Sequence, residues 1–344
     1  MNATRSRQPR VSVVLPAFNA QDTIEAAVDS ILRQSLTNLE LIVVDDGSKD
    51  ATPELLAGMH DDRLRVLSNP VNLGISHSLN KGLKEARGKF IARMDADDIA
   101  HGKRLEAQVA FMESNPKVGL CGSAVRVTDG VTSAIWRHPS QHEDIRILMM
   151  FENPLFHPTV IFRRDVAAGR QGLYEPLWDG AEDYYLWTKL SKEVVFANLQ
   201  ESLVTYRQPP AAIVDGRRRG LADKLRRQQI MGLGINPATV ELALHSSIGR
   251  WAIEELHGRL EEVDEWLCRL VAANDKAKKY DQNLFRKVIG QRYFRVCRAL
   301  SVIDCSALRH FERSKLKQYA DTSIWQRSEA AVRQWWHTRA KSSG

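Results

Sequence analysis

The sequence predicts an α/β fold: a mostly parallel sheet with helices on both faces, a smaller mixed-sheet half attached to it, and a helical C-terminal region. Three observations predict this. Short apolar runs alternate with segments of helical periodicity over the first 120 residues. A cluster of polar or turn-forming residues follows each apolar run. From about residue 211 onward the periodicity is helical.

Each element has its own signal. VSVVL (11–15) is a continuous apolar strand, and residues 21–34 carry Ile24, Ala27, Val28, Ile31 and Leu32 on one helical face. LELIVV (39–44) is a second strand, and DGSKDATPE opens the next helix with Ser, Thr and Pro. RVL (65–67) is a third strand, NLGISHSLNKGLKEA leads into a third helix, and KFIARM (89–94) is the fourth strand. A helix is expected over 101–114. Beyond it, VGLCGSAVRV (118–127) and HPTVIFRR (157–164) read as strands, and VVFANLQESLVTYR (194–207) as one or two more. GLYEPLWDGAEDYYLWTKL is a loop running into a helix. In the last third, Ile253, Leu256, Leu260, Val263, Leu267 and Leu270 form an apolar seam at alternating spacings of three and four. Packing within a small bundle is favoured over a dimer zipper, which stays open as an oligomer contact through the 253–270 helix. The expected organisation is a disordered 1–10, an α/β domain over 11–210 with halves 11–117 and 118–210, and a basic helical region over 211–344.

Composition narrows the class. With 43% apolar and 26% charged residues the chain is of ordinary globular make-up. No apolar run reaches the length of a membrane span, and MNATRSRQPR lacks the apolar core of a secretory signal. A cytoplasmic placement is therefore expected. Cys121, Cys268, Cys297 and Cys305 show no CxxC pairing and read as buried thiols in a reducing compartment. The charge is uneven: residues 1–210 hold 24 Lys and Arg against 27 Asp and Glu, residues 211–344 hold 25 against 15. That basic excess suggests an anionic partner, such as the inner face of a membrane. Five of the eight tryptophans lie there, and Trp335 and Trp336 among basic residues suggest an interfacial anchor. Tryptophans in the core of solvated basic helices are the alternative. Nucleic acid is disfavoured, because no recognised module is present.

Ligands of parallel sheets bind outside the carboxyl ends of the strands. There stand PAFN (16–19), DDGS (45–48), NPVNLG (69–74) and DADD (95–98). A hard divalent cation, Mn²⁺ or Mg²⁺, needs oxygen ligands such as Asp95 and Asp97 and also coordinates phosphates. Helix capping is the competing role, most of all for Asp98. A calcium loop is rejected, because Ile99 and Ala100 occupy positions that need an oxygen ligand and a glycine.

VSVVLPAFNAQDTI, LIVVDDGSKDAT, NLGISHSLNKGL and FIARMDADD, in this order, resemble the GT-A nucleotide-sugar glycosyltransferases of inverting family 2. HPTVIFRR and GAEDYYLWTKL resemble that family's second half, so the likeness covers about residues 10–207. The resemblance implies a Rossmann-like GT-A domain and transfer of a sugar from an NDP-sugar, most commonly UDP-linked. The acceptor would be a hydroxyl of a glycan or lipid-linked molecule in cell-surface polysaccharide synthesis. It implies that Pro16, Ala17, Phe18 and Asn19 line the nucleotide pocket. Asp46 would accept hydrogen bonds from the base, with Asp45 and Ser48 close by and Asn72 and Gly74 near the nucleoside. Asp95 and Asp97 would be the metal-binding pair, Asp95 and Ala96 would also line the donor nucleotide, and Arg93 would meet a donor phosphate or sugar hydroxyl. Asp183 would be the general base and Glu182 the second choice, although first-turn carboxylates also serve helices as such. His157 would wall the sugar or acceptor pocket. Trp178 would be an acceptor platform, with core packing equally open.

Two other functions remain in view. A sugar nucleotidyltransferase shares a related sheet, but its glycine-rich, lysine-containing loop is replaced here by PAFNAQDT. A catalytically inactive glycan-binding or scaffold protein is disfavoured by the presence of both acidic motifs.

Overall fold

The structure is a computed structural model that describes residues 8–170, 172–207 and 216–321. It divides into two compact units, residues 1–142 with 155–218, and residues 143–154 with 219–344.

In the first unit the alternation forms as expected. The order is β1 (Val11–Ala17), α1 (Ile24–Leu32), β2 (Leu39–Asp45), α2 (Thr52–Ala57), β3 (Leu64–Ser68), α3 (Ile75–Glu85) and β4 (Phe90–Arg93). β1 pairs in parallel with β2 and β4, and β2 with β3. β1 and β2 are buried on both faces, which is why they read as unbroken apolar runs. Then come β5 (Ile99–Ala100), α4 (Arg104–Ser114), β6 (Val118–Thr128) and β7 (Ser133–Trp136). Helix α5 (His142–Leu148) leads on to β8 (Ile161–Arg163), α6 (Glu182–Leu190) and β9 (Val195–Arg207).

Two expectations about this half are corrected. The later strands do not form a sheet of their own. They extend the first into one nine-stranded sheet of order β3-β2-β1-β4-β8-β6-β9-β5, with β7 on β6. The reason is β8, which lies antiparallel to both β4 and β6 and joins the halves. The strand expected over 157–164 is also shorter, because His157–Thr159 is a 3₁₀ turn. Residues 194–207 hold a single long strand, which keeps parallel pairing with β6 across register shifts around Ser123 and Ala124. Residues 8–10 are tied down, Gln8 to the Arg87 carbonyl and the Arg10 N–H to that of Asn38. The rest of the N-terminal stretch expected to be disordered, residues 1–7, lies outside the described residues.

The second unit holds α7 (Gly216–Met231) from Arg219 onward, then α8 (Thr239–Arg250), α9 (Ile253–Leu256), α10 (Leu260–Ala277), α11 (Gln282–Leu300) and α12 (Ala307–Arg313). It also takes in residues 143–154, whose Ile147, Met150 and Phe151 belong to its apolar core. The helical region therefore does not begin cleanly at residue 211. The seam is not one helix either: the chain breaks between α9 and α10, where Gly258 takes a φ of +74°. All six seam residues lie in the unit's own core, as bundle packing requires, so this face is not available to a dimer. Trp251 and Trp266 are structural: the Trp251 indole donates to Glu152 and the Trp266 indole to the buried His245. Trp325, Trp335 and Trp336, and with them the expected membrane anchor, lie outside the described residues. Among the described residues no helix is long and apolar enough to cross a membrane. All four cysteines are free; Cys305 is exposed, against the expectation of burial.

Candidate active site

The loops after β1 and β2 interlock. The Asp46 N–H donates to the Ala17 carbonyl (2.8 Å), the Asn19 N–H to Ser48 Oγ (2.9 Å) and the Lys49 N–H to Asn19 Oδ1 (2.9 Å). Asn19 takes a left-handed φ of 49° to make this turn. Asp45 accepts the Ser48 N–H. Pro16 is half-buried and Ala17 buried, while Phe18 stands exposed at the rim. The third loop closes over this pair at Gly47, where φ is +70° and a Cβ would lie 2.6 Å from the Val71 carbonyl carbon. Only glycine fits there.

Asp46 follows β2. Its carboxylate is buried and accepts the N–H groups of Leu73 (3.0 Å) and Gly74 (2.9 Å) and the Asn69 side-chain amide (2.7 Å). It anchors the 69–74 loop with three of a carboxylate's roughly four acceptor positions. Asn72 supports the same loop, accepting the Gly74 N–H.

The fourth cluster follows β4. Asp95, Asp97 and Asp98 each bring one carboxylate oxygen within 4.8 Å of the others. Asp98 does not cap α4. Its Oδ1 accepts the Arg207 N–H at the end of β9 (2.9 Å), and its buried Oδ2 has no partner. Burial, reinforced by Asp95, pushes Asp98 up to about 8, and the same two causes raise Asp97. Three converging carboxylates, one with an unpartnered buried oxygen, fit a hard divalent cation. Ala96 is half-buried between the acids. Arg93 is buried and pairs with Asp95, and its Nε has no partner. Behind it lies Arg104, wholly buried, donating to the Arg93 carbonyl and to Gln108. Burial, then Arg93, brings Arg104 down to about 9.

Opposite these acids α6 begins at Glu182, with no side-chain cap at its start. Glu182 is buried, accepts the Gly180 N–H (2.8 Å) and is pushed up to about 7 by burial and by Asp183. Its Oε1 stands 3.7 Å from His157 Nδ1, too far for a hydrogen bond. Burial and Arg93 hold His157 well below its ordinary value, so the contact is not an ion pair at neutral pH. His157 Nε2 instead meets the buried Tyr174 hydroxyl (2.9 Å). Asp183 is half-buried. Arg93 pairs with Asp95 and its backbone N–H donates to the Val160 carbonyl (2.9 Å), the Val160 N–H donates to the His157 carbonyl (3.2 Å), and His157 stands beside Glu182, which brings the acidic strand tip and the start of α6 into one neighbourhood. Trp178 is half-exposed and stacked on Tyr185, ring centroids 4.5 Å apart.

Sequence reasoning missed Tyr174, Arg104 and the part of Asp98 in the cluster. Arg104 had a readable signal: it shares a buried helical stripe with Leu105, Gln108, Val109 and Met112. Tyr174 had none, because its partner lies 17 residues away across a loop.

Comparison with known proteins places the chain in a family. The model of glycosyl transferase family 2 matches residues 12–175. An uncharacterized glycosyltransferase of Haemophilus influenzae is 35% identical over 237 residues, 64% of this chain and 73% of the relative. The amylovoran biosynthesis glycosyltransferase AmsE of Erwinia amylovora is 31% identical over 57% of this chain and 75% of its own. The crystal structure of S. aureus TarS 1–349 in complex with UDP has a similar fold, with a TM-score of 0.54 at 19% identity, covering 90% of this chain and 89% of that one. With its GT-A sheet and helical C-terminal region, this chain belongs to glycosyl transferase family 2.

Proposed function

We propose that this glycosyltransferase moves a sugar, with inversion, from an NDP-sugar to a hydroxyl of a glycan or lipid-linked acceptor in cell-surface polysaccharide synthesis. UDP is the first choice of nucleotide. The observation that carries the reading is the run of contacts from Asp95 through Arg93, Val160 and His157 to Glu182, which joins the two acidic groups. Displacement needs both: one to hold the cation that would offset the charge of the leaving diphosphate, the other to take the acceptor's proton.

Phe18, Asn19 and Ser48 form the rim over which the nucleoside lies. Asp46, with one acceptor position left on its carboxylate, and the neighbouring Asp45 offer the base acceptors. Asp95, Asp97 and Asp98 would hold Mn²⁺ or Mg²⁺, which when bound supplies positive charge to the leaving diphosphate. Arg93 and Arg104 lie beneath the cluster and limit the repulsion among its carboxylates. Asp183, less buried than Glu182, takes the proton from the acceptor hydroxyl. Glu182 and the neutral His157–Tyr174 pair hold the start of α6 in place. The half-exposed Trp178 face receives a sugar ring. The basic excess of residues 211–344 supports peripheral contact with the anionic inner face of a membrane, on the cytoplasmic side.

A thermal-shift panel of NDP-sugars with Mn²⁺ tests the reading, because a ligand bound only by the native state raises the melting temperature. One donor is expected to bind and to be slowly hydrolysed. Asp97→Asn is expected to abolish both the Mn²⁺ effect and turnover. Asp183→Asn is expected to keep binding and lose about 10²- to 10⁴-fold in turnover. Failure of every NDP-sugar to bind at millimolar concentration overturns the proposal.

A further inference from the structure

The turn before α6 holds a carboxylate that the mechanism above does not use. Asp179 follows the 3₁₀ turn Pro176–Trp178, and its N–H is spent on the Pro176 carbonyl. Its side chain accepts no hydrogen bond among the described residues, and Oδ1 is buried without a partner. Oδ2 is seated against Gly74, whose φ of +95° and missing side chain make room for it; a Cβ there would overlap the carboxylate. Asp179 thus stands at the junction of the 69–74 loop and the turn that carries Trp178, Glu182 and Asp183.

A buried carboxylate oxygen without a donor costs stability, so folding gains nothing from it. A ligand donor would satisfy it. A diphosphate would be repelled by the like charge, whereas hydroxyl groups form short, charge-assisted bonds to a carboxylate. Two neighbouring hydroxyls match its two oxygens. We propose that Asp179 is a specificity-determining residue that accepts hydrogen bonds from a vicinal hydroxyl pair of the donor, on its ribose or on its sugar ring. This inference rests on the transferase reading above. It makes the enzyme discriminate against donors that lack either hydroxyl, because such a donor leaves the carboxylate unsatisfied.

The test is calorimetric titration of wild type, Asp179→Asn and Asp179→Ala with Mn²⁺ present. The probes are whichever of UDP-glucose, UDP-N-acetylglucosamine, UDP-galactose and GDP-mannose wild type binds, and the matching UDP or GDP. Both variants are expected to bind the nucleotide-sugar about 10- to 100-fold more weakly. Their ligand-free melting temperatures are expected to be unchanged or higher, which a structural role would not allow. An equal loss with the free nucleotide assigns the ribose; a loss confined to the nucleotide-sugar assigns the sugar ring. Affinities within twofold of wild type in both variants overturn this inference alone, as does a lowered ligand-free melting temperature in both. Wild type that binds none of the probes overturns the transferase reading and this inference with it.

Discussion

Glu182 carries a pH signature that can be read directly. Its solution value of 4.5 rises to about 7 in the fold, chiefly through burial. A carboxyl shifted upward favours folding while it is protonated. Its contribution is complete below about pH 4.5 and is lost as pH rises through about 7. Glu182→Gln can still accept the Gly180 N–H and cannot ionise. Urea melts from about pH 4 to about pH 9 should show the variant level with wild type at the acid end and more stable above about pH 7. At this scale the sequence was informative about residue type and weak on partners. Asp95, Asp97, Glu182 and Asp183 stand out as acids at a strand end and a helix start. Asp98 looked like a cap because capping is a local pattern, whereas its partner is an N–H 109 residues downstream. The same holds for Asp46, whose hold on the Leu73 and Gly74 N–H groups no local pattern shows.

Among the elements, the loops at the sheet edge depend on close backbone approach. Gly47→Ala must place a Cβ against the Val71 backbone and hold a left-handed φ. It should lower stability by about 2 kcal/mol or more, read as a fall in urea midpoint, and weaken nucleotide binding. The six-residue seam shows the limit of periodicity. Spacings of three and four identified which side chains are buried, yet could not show the break at Gly258, because the glycine falls between two seam positions. Leu267 is wholly buried in the helical unit's core. Leu267→Ala should cost about 2–5 kcal/mol and leave the oligomeric state unchanged by sedimentation. Strands β1, β2 and β4 were legible because doubly buried strands are continuous apolar runs. The union of β4 with β6 through β8 was not, since pairing partners far apart in the chain leave no mark on local spacing.

At the level of the whole molecule, the helical unit borrows residues 143–154 from within the first unit's sequence. A chain ended after Arg218 would leave Ile147, Met150 and Phe151 without the core they belong to. Such a fragment should be poorly soluble and aggregate, measured as loss of soluble yield and as light scattering, whereas the full chain should not. No composition shift announces this exchange, because a dozen residues with three core side chains look like any other short helix. The strand order holds a further geometric consequence. β4 and β5 are four places apart in the sheet, about 19 Å if it were flat. Residues 94–98 connect them, six Cα steps from Arg93 to Ile99 that would reach about 20–22 Å if drawn straight, but residues 96 and 97 form a turn that shortens the link well below that. The sheet must therefore curl until its far strand comes back toward β4, and the aspartates ride on the chord that closes the arc. Their oxygens already lie together there, so that an ion, if bound, would ask for little further ordering of the chain.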